Sequence, residues 1–92
     1  MTTEIIKYLG DRLAERIGIS PPAARGLIRL AIADELGPLT PLNQINFNDL
    51  KVVIEKSLKL RLKNLVQNID LITNYMLNKL IKNQSLITMA KV

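Results

Sequence analysis

Neither histidine nor cysteine occurs in the 92 residues, and each absence closes a class of chemistry. Without histidine the chain has no group that ordinarily changes charge near neutral pH, and no imidazole ligand. Without cysteine there is no disulfide, no thiol nucleophile and no thiolate set for zinc or an iron–sulfur cluster. Aromatic residues are nearly missing too: two tyrosines, one phenylalanine and no tryptophan. Glycine and proline stop at Pro41, so the whole second half lacks a strong helix breaker. Long apolar runs are absent. The longest uncharged stretch, Leu36 to Asn48, is interrupted by Gly37, Pro38 and Pro41, whereas a membrane-spanning helix needs roughly 20 apolar residues. Glu4, Lys7, Asp11 and Arg12 break up any signal-peptide core. A cytoplasmic location with no membrane span is expected.

What is present is a chain of 10.3 kDa, the size of one domain. Leucine, isoleucine and valine together number 32, so the core is aliphatic. Charge is unevenly placed. Up to residue 45 five cations balance five anions, whereas beyond it eight cations face only Asp49, Glu55 and Asp70. The net +5 therefore lies in the second half, mostly in Lys51, Lys56, Lys59, Arg61 and Lys63. A basic stretch over 51–63 attracts phosphate, anionic lipid or an acidic protein, or simply solvates a helix face.

Helical periodicity dominates. Thr2 or Thr3 suits the cap of a first helix over about 3–17, whose stripe is Ile5, Ile6, Leu9, Leu13 and Ile17. Gly10 weakens it by about 1 kcal/mol relative to alanine, and Gly18 stops it. Ser20 and Pro21 open a second helix over 21–36. Leu27, Ile28, Leu30, Ala31 and Ile32 cover most of its circumference, which predicts a central, buried helix. Gly37-Pro38 ends it. Asn46 is the next N-cap, with Asp49 at N3 for a capping box and Ile45 and Leu50 as a hydrophobic staple.

Leu58, Leu62, Leu65, Ile69, Ile72 and Met76 are then separated by 4, 3, 4, 3 and 4 residues. This seam keeps one phase across the polar stretch 64–70, and predicts a single helix over 47–83, about 57 Å long. A split near 64–70, with two antiparallel helices, is the alternative. Leu60, Leu71, Leu77 and Ile81 face away from the seam, and Leu80 adds to the apolar total. A fully buried leucine is worth roughly 1.5–3 kcal/mol. Two short helices cannot wrap so long a rod, so the surplus predicts a second copy, a homodimer joined through residues 50–81. The tail 85–92, with Leu86, Ile87 and Met89, is apolar enough to be docked. No run alternates with period two. The expected fold is all-α, a small single-domain bundle with two shorter N-terminal helices and a long C-terminal segment.

Chemistry is sparse. The four glycines stand apart and form no phosphate loop. Asp34 and Glu35, adjacent on a helix, point about 100° apart and do not converge on one ion. Ser20, Ser57 and Ser85 have no histidine to activate them. No catalytic residue, metal ligand or cofactor is expected, and the chain is not expected to be an enzyme.

Residues 13–29 read LAERIGISPPAARGLIR. This segment resembles a helix-turn-helix unit. Ala14 matches the small residue where two helices touch, Gly18 the turn glycine before apolar Ile19, and Ala24 and Leu27 the buried positions of the second helix. The resemblance implies DNA reading by Ser20, Pro21, Pro22, Arg25, Gly26 and Arg29. It departs from the pattern at Pro21, Pro22 and Gly26, where side chains that read bases normally stand. A plain helical corner accounts for the same residues.

Two functions follow as expectations. One is a non-catalytic helical interaction module that self-associates through Leu58, Leu60, Leu62, Leu65, Ile69, Leu71, Ile72, Met76, Leu77, Leu80 and Ile81, and binds a protein partner. The other is a dimeric DNA-binding protein using residues 20–29. Arg25, Arg29, Lys56, Lys59 and Lys63 are the candidate contacts to an anionic partner in either case.

Overall fold

Residues 63–68 decide the architecture. A computed structural model describes residues 2–84, with side chains from Glu4 onward. The side chains of Thr2 and Thr3, and with them the expected cap, are not described, and the tail 85–92 lies outside the described residues. The described residues form helices and no strand, the all-α class. Helix α1 is Thr2–Ile17 and α2 is Pro21–Leu36. A 3-10 turn at Leu42–Gln44 leads into a third helix, α3, over 47–62, and α4 is Ile69–Lys82. The single helix expected over 47–83 is thus two. Its amide ladder ends where Leu65 N–H and Val66 N–H both donate to the Leu62 carbonyl, at 2.9 and 3.1 Å. Asn64, Val66 and Asn68 are weak helix formers, and α4 returns along α3 from its last turn to its first. The longest dimension is 39 Å, too short for a rod of about 57 Å.

The physical reason for the split is burial. Leu58 and Leu62 on α3, and Ile72, Met76 and Leu80 on α4, all lie in one core. Two stripes that face each other across a core leave the same sequence trace as one stripe continued. Folding back supplies each with a partner from the same chain. Leu65, at the turn, is left out and is exposed.

Helix α3 is not a uniform α-helix. It begins with the α-helical turn Phe47–Val52, continues as a π-helical stretch Val53–Leu58, and closes with the α turn Lys59–Leu62. The apolar spacing accounts for this. Leu50, Ile54, Leu58 and Leu62 recur every four residues and are all essentially buried. In a pure α-helix, at about 100° per residue, that spacing carries Leu62 roughly 120° from Leu50. An i→i+5 helix turns about 82° per residue, and half of the step from Leu50 to Leu62 in that form brings Leu62 back to within roughly 15° of Leu50, with Ile54 and Leu58 inside a sector of about 40°. The wider turn keeps them on one face.

The start of α3 matches expectation. Asn46 Oδ1 accepts from Asp49 N–H at 2.8 Å, and Asp49 Oδ2 accepts from Asn46 N–H at 3.1 Å. Ile45 and Leu50 are fully buried, as the staple requires. Ser20 caps α2 by accepting from Ala23 N–H at 3.3 Å. Helix α2 is less central than its composition predicts. Ala24, Ile28, Ala31 and Ile32 are buried, but Leu30 is half exposed beside solvated Arg29. Helix α2 packs one face against α1 and the π-helical stretch of α3, and its other face is open.

Two glycines have positional reasons. Gly18 takes φ +73°, and its N–H and that of Ile19 both donate to Ala14, so the corner turns through the left-handed region. Gly10 is where α1 and α2 touch. A Cβ there would stand 2.5 Å from Arg25 Cγ and 3.1 Å from Arg25 Cα. The helix tolerates this glycine because the crossing needs the space.

Two outcomes follow. Gly10→Ala is expected to destabilise the fold by about 1–3 kcal/mol, despite alanine's better helix propensity, because overpacking outweighs it; urea unfolding measures this. Deleting exposed Glu55 turns the spacing of four into an ordinary three-and-four pattern. It is expected to change stability by less than roughly 1.5 kcal/mol, whereas deleting equally exposed Arg29 rotates Ala31 and Ile32 out of register and costs about 3 kcal/mol or more.

Candidate functional site

The outer face of α3 carries Lys56, Lys59, Leu60 and Lys63, which helical spacing puts side by side. The opposite side of α3 is tied to α2. Arg61 donates to Asp34 through Nε at 2.6 Å and Nη2 at 3.0 Å, and Ser57 Oγ donates to Glu35 at 3.0 Å. Asp34 and Glu35 sit in the last turn of α2, where the helix dipole disfavours carboxylates. Their partners on α3 offset that. The fork-like pair with Arg61 holds the Asp34 carboxyl below its ordinary range and lifts the Arg61 guanidinium above its own. The two adjacent acids therefore serve two different partners, as their divergence on the helix requires.

With α3 fixed this way, its lysine face meets the start of α4 in a groove of about 520 Å³ lined by Glu55, Lys56, Lys59, Leu60, Lys63 and Ile69. The floor is apolar, from Leu60 and Ile69 and the lysine stems. The rim is basic. Asp70, in the first turn of α4, reaches over to Lys59 Nζ at 2.8 Å. Leu60 is 68% exposed, the highest value for a large apolar side chain within a helix among the described residues. The groove abuts the π-helical stretch, which contributes Glu55 and Lys56.

The residues expected at an interface divide into three sets. Leu58, Leu62, Ile72, Met76 and Leu80 are buried within the chain, and Ile69 and Leu77 pack against that core while partly exposed. Leu60, Leu65, Leu71 and Ile81 are exposed. The first set is committed to the chain's own core. The seam already has its partner in the same chain, so it cannot also join two copies while the fold stays intact. Exposed Leu60, Leu71 and Ile81 nevertheless keep part of the apolar surplus, and only Leu77 is drawn in. Sequence reasoning missed Glu55 and Asp70 at the groove. The spacing of four over Leu50–Leu62 signalled the wider turn, but nothing in one dimension brings Asp70 to Lys59 until the chain folds back.

The helical corner has the shape expected of residues 13–29, with Ala14 and Ala24 buried, but its donors are engaged. Arg25 Nε and Nη2 both donate to Asp11 Oδ1, at 3.1 and 2.7 Å. Ser20 is the cap of α2. Arg12 pairs with Glu15 at 2.7 Å and lies over the Tyr8 ring. A second hollow there, about 360 Å³, is lined by these compensated charges together with Ala14, Ile19 and Pro21. Arg29 alone among the proposed reading donors is exposed and without a partner among the described residues. Elsewhere, Tyr75 of α4 is flanked by Arg16 and Lys79 at 5.2 and 5.3 Å, which ties α4 to α1. No described helix is long and apolar enough to cross a membrane.

Comparison with protein-family models, curated proteins and solved structures finds no match to this chain.

Because the Asp34 pKa is lowered in the folded state, its contribution to stability is present above the unfolded carboxylate value of about 3.9 and is lost as pH falls through the folded value. Asp34→Asn is therefore expected to be less stable than the parent at pH 6, with the gap closing toward pH 3. Thermal unfolding at the two pH values measures it.

Proposed function

We propose that this chain is a non-catalytic helical interaction module that binds a protein partner through the groove between α3 and the start of α4. The observation that carries this reading is the combination at one place of an exposed apolar floor, Leu60 and Ile69, and a rim of lysines. A hollow of this volume falls in the range that binding sites occupy, and an apolar centre with a polar rim is the anatomy of an interface. The DNA-reading alternative has less support, because Arg25 and Ser20 are spent on Asp11 and on the cap of α2.

A photoreactive p-benzoylphenylalanine placed at Leu60, and separately at Arg29, distinguishes the readings in the cells that make the chain. Irradiation is expected to give a discrete adduct with another protein from position 60 and none from position 29. Loss of any adduct at 60 overturns the proposal. An adduct of twice the chain's mass replaces it with self-association, and a nucleic-acid adduct at 29 replaces it with DNA binding.

A further inference from the structure

We infer that the occupant of the groove is the acidic face of an amphipathic helix from another protein, and that Asp70 is an internal competitor for its central lysine. The inference rests on the groove being the binding face and adds the chemistry of what it takes.

The acids of the chain itself narrow the choice of partner. Asp11, Glu15, Asp34, Glu35, Asp49 and Asp70 are already engaged with Arg25, Arg12, Arg61, Ser57, Asn46 and Lys59. Of the eight acidic residues, that leaves Glu4 and Glu55. At the groove itself Lys56, Lys59 and Lys63 stand against Glu55 and the exposed, exchangeable Asp70. A two-fold contact would therefore set one net positive face against another. An acidic molecule other than a second copy is the better complement.

Its shape follows from the groove. Lys56, Lys59 and Lys63 run along two turns of α3, about 10 Å. Carboxylates at i, i+3 or i+4, and i+7 of a second helix match that interval, and the leucines between them reach Leu60 and Ile69. A nucleic acid has phosphates for the lysines but nothing apolar for the floor, and the groove has no aromatic ring on which a base would stack.

Asp70 shows how the site is held when empty of partner. It is 80% exposed and pairs with Lys59 across the mouth of the groove. Such an exposed pair contributes little and exchanges readily. It neutralises the middle lysine and leaves the outer two, Lys56 and Lys63, exposed. A partner's carboxylate must displace Asp70 to take Lys59.

The test uses the full chain and a labelled synthetic amphipathic helix of about 18 residues, long enough to be partly helical alone, with leucines flanked by glutamates. A second peptide has the same leucines flanked by lysines. Fluorescence anisotropy is expected to show binding of the glutamate peptide, weakening as salt rises from about 20 to about 200 mM. The lysine peptide is expected to bind about tenfold or more weakly. Lys56→Glu with Lys63→Glu, both at exposed positions, is expected to reduce affinity by about tenfold while leaving the helical circular dichroism unchanged. Asp70→Asn is expected to raise it about two- to fivefold. Equal binding of the two peptides, or no change in the double lysine variant, overturns the inference. So does weaker binding by Asp70→Asn. Stronger association with phosphatidylserine-containing vesicles or with a DNA duplex than with the glutamate peptide, when Lys56 and Lys63 are required for it, reassigns the groove to that ligand. Persistence of the position-60 adduct alongside failure of the peptide overturns only the acidic-helix chemistry of the occupant. Loss of both overturns the binding face as well.

Discussion

The contact between the apolar face of α3 and that of α4 is what the rest of the structure depends on. Leu50, Ile54, Leu58 and Leu62 present one continuous wall only because the helix widens in its middle turn. Ile72, Met76 and Leu80 close against the same core because the chain reverses at residues 63–68. With almost no aromatic volume, the core must be filled by many branched aliphatic chains, each worth little alone. Alignment therefore matters more than any single residue. A Leu62 turned by a third of a revolution would leave the shared face and forfeit roughly the 1.5–3 kcal/mol that burying a leucine supplies. That is a large fraction of the roughly 5–15 kcal/mol by which a small domain is stable. A π-helical turn has poorer backbone geometry, and in α3 the burial gained along the face outweighs it.

The parts legible in the sequence were those set by local chemistry. Ser20, Asn46 and Asp49 identify helix starts because an N-cap needs only its own side chain and amides a few residues away. Gly18 marks the corner for the same reason. The long-range arrangement was not legible, and the reason is specific. The 4, 3, 4, 3, 4 spacing from Leu58 to Met76 reports which side of a helix is apolar, but not which helix supplies the opposing wall. Continuity and reversal differ by the conformations of a few residues around Asn64–Asn68, where weak propensity decides nothing until tertiary burial is added. The candidate site divided likewise. The lysine positions on the outer face of α3 could be read from spacing alone. The apolar floor formed with Ile69, and the reach of Asp70 to Lys59, exist only after the reversal.

The same reversal sets the electrostatics. Acidic residues are drawn inward to the helix contacts: Asp11 to Arg25 between α1 and α2, Asp34 to Arg61 and Glu35 to Ser57 between α2 and α3. The Asp11–Arg25 and Asp34–Arg61 pairs are charge-compensated and the Glu35–Ser57 contact holds an acid, so the +5 excess appears elsewhere. One place it appears is the side of α3 turned away from α2. A basic stretch that looks diffuse in the sequence is thereby resolved into two roles. Arg61 is structural, held in a forked pair. Lys56 and Lys63, one turn before and one turn after Leu60, stay free for solvent or a partner.

The apolar surplus has a different meaning in the folded chain than in the linear one. Read along the sequence, the many apolar side chains from Leu58 to Ile81 demand a second molecule of the same length. Folded, most of that demand is met within the chain, and the remainder is local. Leu60 shares its groove with half-exposed Ile69, and the other lining residues are charged. The reversal turns the Leu58–Met76 seam inward and leaves Leu60, Leu65, Leu71 and Ile81 exposed among the described residues. An isolated leucine framed by lysines fits a small, charge-selective contact better. Electrostatics in such a contact governs which partner is accepted and how fast it arrives, while the apolar floor governs how long it stays.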